Sequence, residues 1–141
     1  GGAIAIRSMP TLPEARAVMV DTAYTSMEDV VRDGVADLGI PPLFFHHVIL
    51  RLSNGLSGSN LYEARPIDSV AEIAPRPILF IHGTADPTIP VEHIYELHAA
   101  AGEPKELLIV EGAGHIMSAF VEPETYRQRI LDFMRNVFDD A

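Results

Sequence analysis

Arg76-Pro-Ile-Leu-Phe-Ile-His-Gly-Thr-Ala-Asp86 and Lys105-Glu-Leu-Leu-Ile-Val-Glu-Gly-Ala-Gly-His115, with a helical pattern between them, decide how this chain folds. Ile78 to Ile81 form one short apolar run, bounded by Pro77 and Gly83. Leu107 to Val110 form a second, bounded by Pro104 and Gly112. Runs this short, without alternation, suit strands buried on both faces of a parallel sheet. Strand, helix, strand is a crossover unit, and a crossover brings both strand C-termini to one edge of the sheet. Asp86 lies beyond the first run and His115 beyond the second, so an acid and an imidazole arrive at the same rim.

That pairing has a chemical use. A carboxylate bonded to one imidazole nitrogen fixes the tautomer and leaves the other nitrogen free to take a proton from a nucleophile. The acid also precedes the histidine, which is the chain order of one large hydrolase fold. His82-Gly83-x-x-Asp86-x-x-x-Pro90 and then Gly112-x-Gly114-His115 resemble the acid and histidine loops of the α/β-hydrolase superfamily. The resemblance is greatest to its serine-hydrolase branch of esterase-like and aminopeptidase-like members. It implies Asp86 as triad acid and His115 as general base. It also implies an ester, thioester or amide substrate, and the expectation of no cofactor, drawn from the missing cofactor motifs, suits such an enzyme.

Working outward, Gly1 to Met9 reads as a helix already under way. Gly1-Gly2-Ala3-Ile4-Ala5 resembles the helix start just beyond the family's Gly-x-Ser-x-Gly elbow. The expectation is that residues 1–141 form the C-terminal part of one α/β-hydrolase domain. The nucleophile serine would lie upstream, and the chain would need its missing N-terminal half. Parallel strands are expected near 16–21, 77–82 and 105–110. Thr25-Ser26-Met27-Glu28 opens a helix, with Ser26 and Asp29 as an equally legal capping register. It ends by Gly39, ahead of Pro41-Pro42. Leu43 to Leu56 is strongly apolar yet too short for a membrane span. It reads as a helix of a small cap over about 25–68, lining a pocket for a hydrophobic group. A short helix is expected over 67–73 and another from Pro90. A last one from Pro123 should present Tyr126, Ile130, Phe133, Met134 and Val137 to the sheet.

Several residues compete with these. Asp21 also ends a strand and is the alternative acid. His82, beside a glycine, reads as structural. His46, His47, His93 and His98 fall at helical positions without convincing metal spacing, and a pairing of His93 with Glu96 is open. Gly55-Leu56-Ser57-Gly58-Ser59 imitates an elbow, but Ser59 stands where glycine is needed and no strand precedes it. Ser8, Ser26 and Ser118 have no elbow context.

The formal charge of −10 argues against nucleic acid, whose phosphates need a basic footprint. The chain has no cysteine, which excludes disulfides and thiolate metal sites. No zinc, phosphate-loop or dinucleotide motif is present. The expected partner is a small-molecule or peptide substrate, and a cytoplasmic location is the default expectation. The alternative of another class is a non-catalytic binding module that pairs another chain along an open edge at the Ala17 strand.

Overall fold

The computed structural model describes residues 1–139. Three parallel strands, β1 (Val18–Asp21), β2 (Ile78–Gly83) and β3 (Lys105–Val110), form one sheet in the order β1-β2-β3. Val18 pairs with Ile78, and Ile78 in turn with Lys105. All six residues of β2 are buried, as a central strand covered on both faces requires.

Alternation along β2 divides the core. Ile78 and Phe80 face one side with Ile6 and Met9, Val20, Val70, Ile73, Ile94 and Leu97. Leu79 and Ile81 face the other with Leu108, Val110, Phe133 and Val137. The first layer is built by α1 (Gly2–Ser8), the 3₁₀ turns at Pro66–Asp68 and Val70–Ile73, and α4 (Glu92–Ala100). The second is built by α6 (Pro123–Asp139). Phe80 is fully buried, and truncating such a side chain to alanine costs about 3–5 kcal/mol. Gly2 lets α1 lie directly on β1, since a Cβ there would stand 2.5 Å from the Thr22 carbonyl oxygen.

Residues 25–68 carry α2 (Met27–Asp37) and α3 (Pro42–Ser57), packed on each other and joined through Gly39 at φ 72°. Ser26 is the N-cap of α2: its Oγ accepts the Asp29 N–H at 3.0 Å. The Ser26–Asp29 register therefore wins. Thr25 turns instead toward His93, placing Oγ1 2.8 Å from Nδ1.

Several boundaries differ from expectation. Residues 67–73 form two 3₁₀ turns instead of one helix, because Pro66 and the Ser69 break interrupt the ladder. The helix expected from Pro90 begins at Glu92, after a turn closed by the Pro90 carbonyl and the His93 N–H. Met134 flanks the α6 stripe and stays 38% exposed, whereas Phe133 and Val137 are buried. The one-turn helix α5 (Ser118–Val121) after His115 was not expected.

Candidate active site

The loop after β2 is shaped by one carboxylate. Asp86 Oδ1 accepts the N–H groups of Thr88 at 2.8 Å and Ile89 at 3.0 Å, an Asx-type turn. Its Oδ2 faces His115 Nδ1 at 2.9 Å, and the Asp86 side chain is fully buried. Burial pushes this carboxyl up. The Ile89 and Thr88 N–H groups and the His115 ring outweigh that push and hold it below the usual carboxylate range. An ionised carboxylate only accepts, so His115 Nδ1 carries a hydrogen, and in the neutral ring Nε2 presents the lone pair.

Three further contacts hold the acid loop and the histidine loop together. Thr84 Oγ1 accepts the Gly112 N–H at 2.9 Å, and the Ala85 N–H donates to the Ala113 carbonyl at 2.9 Å. Gly83 makes that approach possible, because a Cβ on it would stand 2.2 Å from the Ala113 oxygen. Gly112, at φ 72°, turns the chain out of β3.

His82 supports the site from beneath. It is fully buried, and its Nε2–H donates to the Ile89 carbonyl at 3.0 Å. Burial lowers its pKa, against the pull of the Ile89 carbonyl and of Asp86, so the ring stays neutral. Its Nδ1 has no partner among the described residues. The ring braces the turn that carries Asp86, a structural role.

His115 lines a cavity of about 340 Å³ with Gly1, Thr22, Met27, Val30 and Ile116. The N-terminal end of α1 therefore faces the histidine. No serine lines this cavity among the described residues. Ser57 is exposed at the end of α3, where its Oγ accepts the Ser59 N–H. Ser118 is fully buried, and its Oγ has no partner among the described residues. Asp21 also borders the cavity but makes no hydrogen bond to His115. Burial raises its carboxyl, opposed in part by the Tyr126 hydroxyl.

Two features were not legible from motifs. Thr22 (φ 60°) and Ile116 (φ 54°), both β-branched, adopt the left-handed conformation that such residues avoid, and both line this cavity. Strain of that kind clusters at functional sites. Of residues 25–68, Met27 and Val30 of α2 line the cavity, and α3 contributes none of its walls.

The remaining histidines separate. His93 Nε2 lies 3.1 Å from Asp33 Oδ2, so the carboxylate partner comes from α2 and is not Glu96. His98 packs edge-on against Phe80. His46 and His47 sit on α3 beside Glu28.

Comparison with known proteins agrees with this architecture. Residues 57–137 match the family of TAP-like α/β-hydrolase proteins. The chain is 30% identical over 121 residues to YfhR of Escherichia coli K12, spanning 84% of the chain but 36% of YfhR. It is 36% identical over 82 residues to YqkD of Bacillus subtilis, covering 57% of the chain and 27% of YqkD. The chain thus spans about a third of the length of these relatives. Among solved structures it is similar to the α/β-hydrolase GrgF of Penicillium, with a TM-score of 0.69 and 19% identity. That match covers 99% of this chain and 61% of GrgF. The Pyrococcus furiosus esterase Pf2001 aligns with a TM-score of 0.66 at 21% identity, over 96% of this chain and 50% of the esterase.

Proposed function

This chain belongs to the TAP-like family of α/β-hydrolases, and on that premise we propose that it supplies the acid and the general base of a serine hydrolase. Asp86 orients the His115 ring. His115 Nε2 takes the proton of an attacking hydroxyl and later passes it to the leaving group. Asp86 stays ionised throughout and stabilises the imidazolium. The scissile bond is an ester, thioester or amide. The nucleophilic serine comes from a segment N-terminal to α1, and so do the N–H groups that stabilise the tetrahedral oxyanion.

The observation that carries this reading is the 2.9 Å contact between Asp86 Oδ2 and His115 Nδ1, with Oδ1 already saturated by two backbone donors. It leaves the second imidazole nitrogen for chemistry, in a ring that borders the same cavity as Gly1. Met27, Val30 and Ile116 give that cavity apolar walls, which favours a substrate with a hydrophobic group. Residues 25–68 act as a small cap on the domain formed by residues 1–141. Similarity to proteins named as esterases supports the ester over the other linkages.

The test is fluorophosphonate labelling of the full-length protein, with the modified residue located by mass spectrometry. The label is expected on a serine preceding Gly1 and is lost in His115→Gln. A label on Ser57, or on any other serine of residues 1–141, would overturn the assignment. A second reading, a binding module, is favoured by β1, whose outer side is unpaired among the described residues and whose Met19 is 40% exposed. Absence of both label and ester turnover would select it.

A further inference from the structure

Glu28, in the first turn of α2, meets two consecutive histidines of α3. Its Oε1 lies 3.6 Å from His46 Nε2 and 3.8 Å from His47 Nδ1, and the three atoms fall within 4.8 Å of one another. The His46 and His47 rings lie side by side, with centroids 3.9 Å apart.

The tautomer of the neutral His46 ring follows from its other nitrogen. Nδ1 is hydrogen-bonded to the Pro42 carbonyl. A carbonyl can only accept, so Nδ1 carries the hydrogen, and in the neutral ring Nε2 presents a lone pair. That nitrogen lies 3.6 Å from a carboxylate oxygen, which is also an acceptor. In the neutral ring, then, two acceptors converge, on a residue that is only 6% exposed. At 3.6 Å the separation is too long for a shared proton to make a sound hydrogen bond. A proton between this pair would also leave His47 Nδ1 facing the same oxygen.

A larger cation resolves the conflict. Nitrogen and carboxylate ligands bind zinc at roughly 2.0–2.2 Å, which sets tetrahedral donors roughly 3.3 Å apart. The two carboxylate–nitrogen separations, 3.6 and 3.8 Å, need to close by only a few tenths of an ångström, and the two nitrogens lie within 4.8 Å of each other. An imidazole whose far N–H is held by a backbone carbonyl is also the usual arrangement of a metal-ligating histidine. Two imidazoles and one carboxylate suit a zinc-class ion better than magnesium or calcium, which take oxygen ligands.

We propose that Glu28 Oε1, His46 Nε2 and His47 Nδ1 bind a divalent transition-metal ion that clasps α2 to α3. The Tyr62 hydroxyl, 3.3 Å from His47 Nδ1, is the partner the ion displaces, and a water completes the tetrahedron. The ion fixes the α2 turn that carries Met27, and so the wall of the cavity beside His115. The site is independent of the hydrolase assignment, because it uses none of the same residues.

The test is a Co²⁺ titration of chelator-stripped, full-length protein, monitored by visible absorption. The expected result is one equivalent of Co²⁺ giving a tetrahedral spectrum that Zn²⁺ abolishes. Glu28→Gln and His47→Gln, both at partly exposed side chains, should each weaken binding at least about tenfold. His98→Gln should leave it unchanged. Absence of tetrahedral Co²⁺ binding would overturn the proposal, as would equal affinity in Glu28→Gln and wild type.

Discussion

Asp86→Asn tests the site at its most constrained atom pair. The amide must replace a carboxylate that accepts from three donors: the Thr88 and Ile89 N–H groups at Oδ1 and the His115 ring at Oδ2. The two backbone donors claim the amide oxygen, because turning the NH₂ toward them would leave two N–H groups facing a donor. The NH₂ therefore points at His115 Nδ1. Nδ1 becomes the acceptor, the ring proton moves to Nε2, and the proposed general base loses its lone pair. The fold survives, since the Asx-type turn keeps both bonds. Loss of the correct tautomer in triads of this kind lowers kcat by roughly 10⁴, or roughly 5.4 kcal/mol at 1.36 kcal/mol per decade. The assay is p-nitrophenyl ester hydrolysis by the full-length protein, paired with ¹⁵N shifts of the His115 ring. The proton is expected on Nδ1 in wild type and on Nε2 in the variant. Asp21→Asn, made in parallel, should cost less than about tenfold, since Asp21 does not bond the ring. A variant at Asp86 that retains kcat within tenfold, or loses it while the proton stays on Nδ1, would refute the reasoning. A large loss at Asp21 alone would transfer the acid role there.

Two more predictions concern the supports. Gly83→Ala places a Cβ 2.2 Å from the Ala113 oxygen and 2.6 Å from its carbonyl carbon, so the two loops must part by about 1 Å. The expected cost is about 3 kcal/mol in urea unfolding. A loss of about 10² in kcat should accompany it from displacement of the acid relative to the base. Unchanged stability would show that the loops are not in rigid contact. His82 gives a pH signature. Its folded pKa is depressed by burial, so below the ordinary value of about 6.5 the unfolded chain binds the extra proton first. The stability it contributes is complete above that pH and is lost as pH falls toward the folded value. Melting temperature should decline on acidification from pH 7, and the decline should be shallower in His82→Gln. A parallel decline in both would remove His82 as its source.

The range of the forces involved set how much of this was legible in the sequence. The strands at Ile78 and Leu107 were readable because burial on both faces leaves an unbroken apolar run between Pro and Gly stops. Asp86 and His115 were readable because a crossover forces both strand ends to one rim, whatever the packing details. Helix starts were less readable where two caps competed. Thr25 and Ser26 each had an acid three residues on, and the choice fell to Ser26 because His93, distant in sequence, takes Thr25. His46 and His47 carried no recognisable ligand spacing, since their carboxylate partner sits on the preceding helix. Contacts of that kind are set by helix packing and leave no local pattern.

Two strained residues shape the rim of the cavity. Thr22 comes directly after β1 and Ile116 directly after His115, so each forces a sharp turn where a strand or loop ends at the cavity. A glycine in either place would relieve the backbone, yet a β-branched side chain is kept in both. Each such conformation costs on the order of 1–3 kcal/mol, which the surrounding packing must offset. The β1 tip is held by the Thr22 N–H donating to the Ile81 carbonyl, and the histidine loop by the Met117 N–H donating to the Gly114 carbonyl. Neighbouring backbone thus fixes both turns against their own preference. The consequence is positional: Ile116 lines the same cavity as His115, and Thr22 Oγ1 lies 3.5 Å from Asp21 Oδ1. Relaxing either turn would move a wall of the cavity, so the strain is tied to the shape of the cavity.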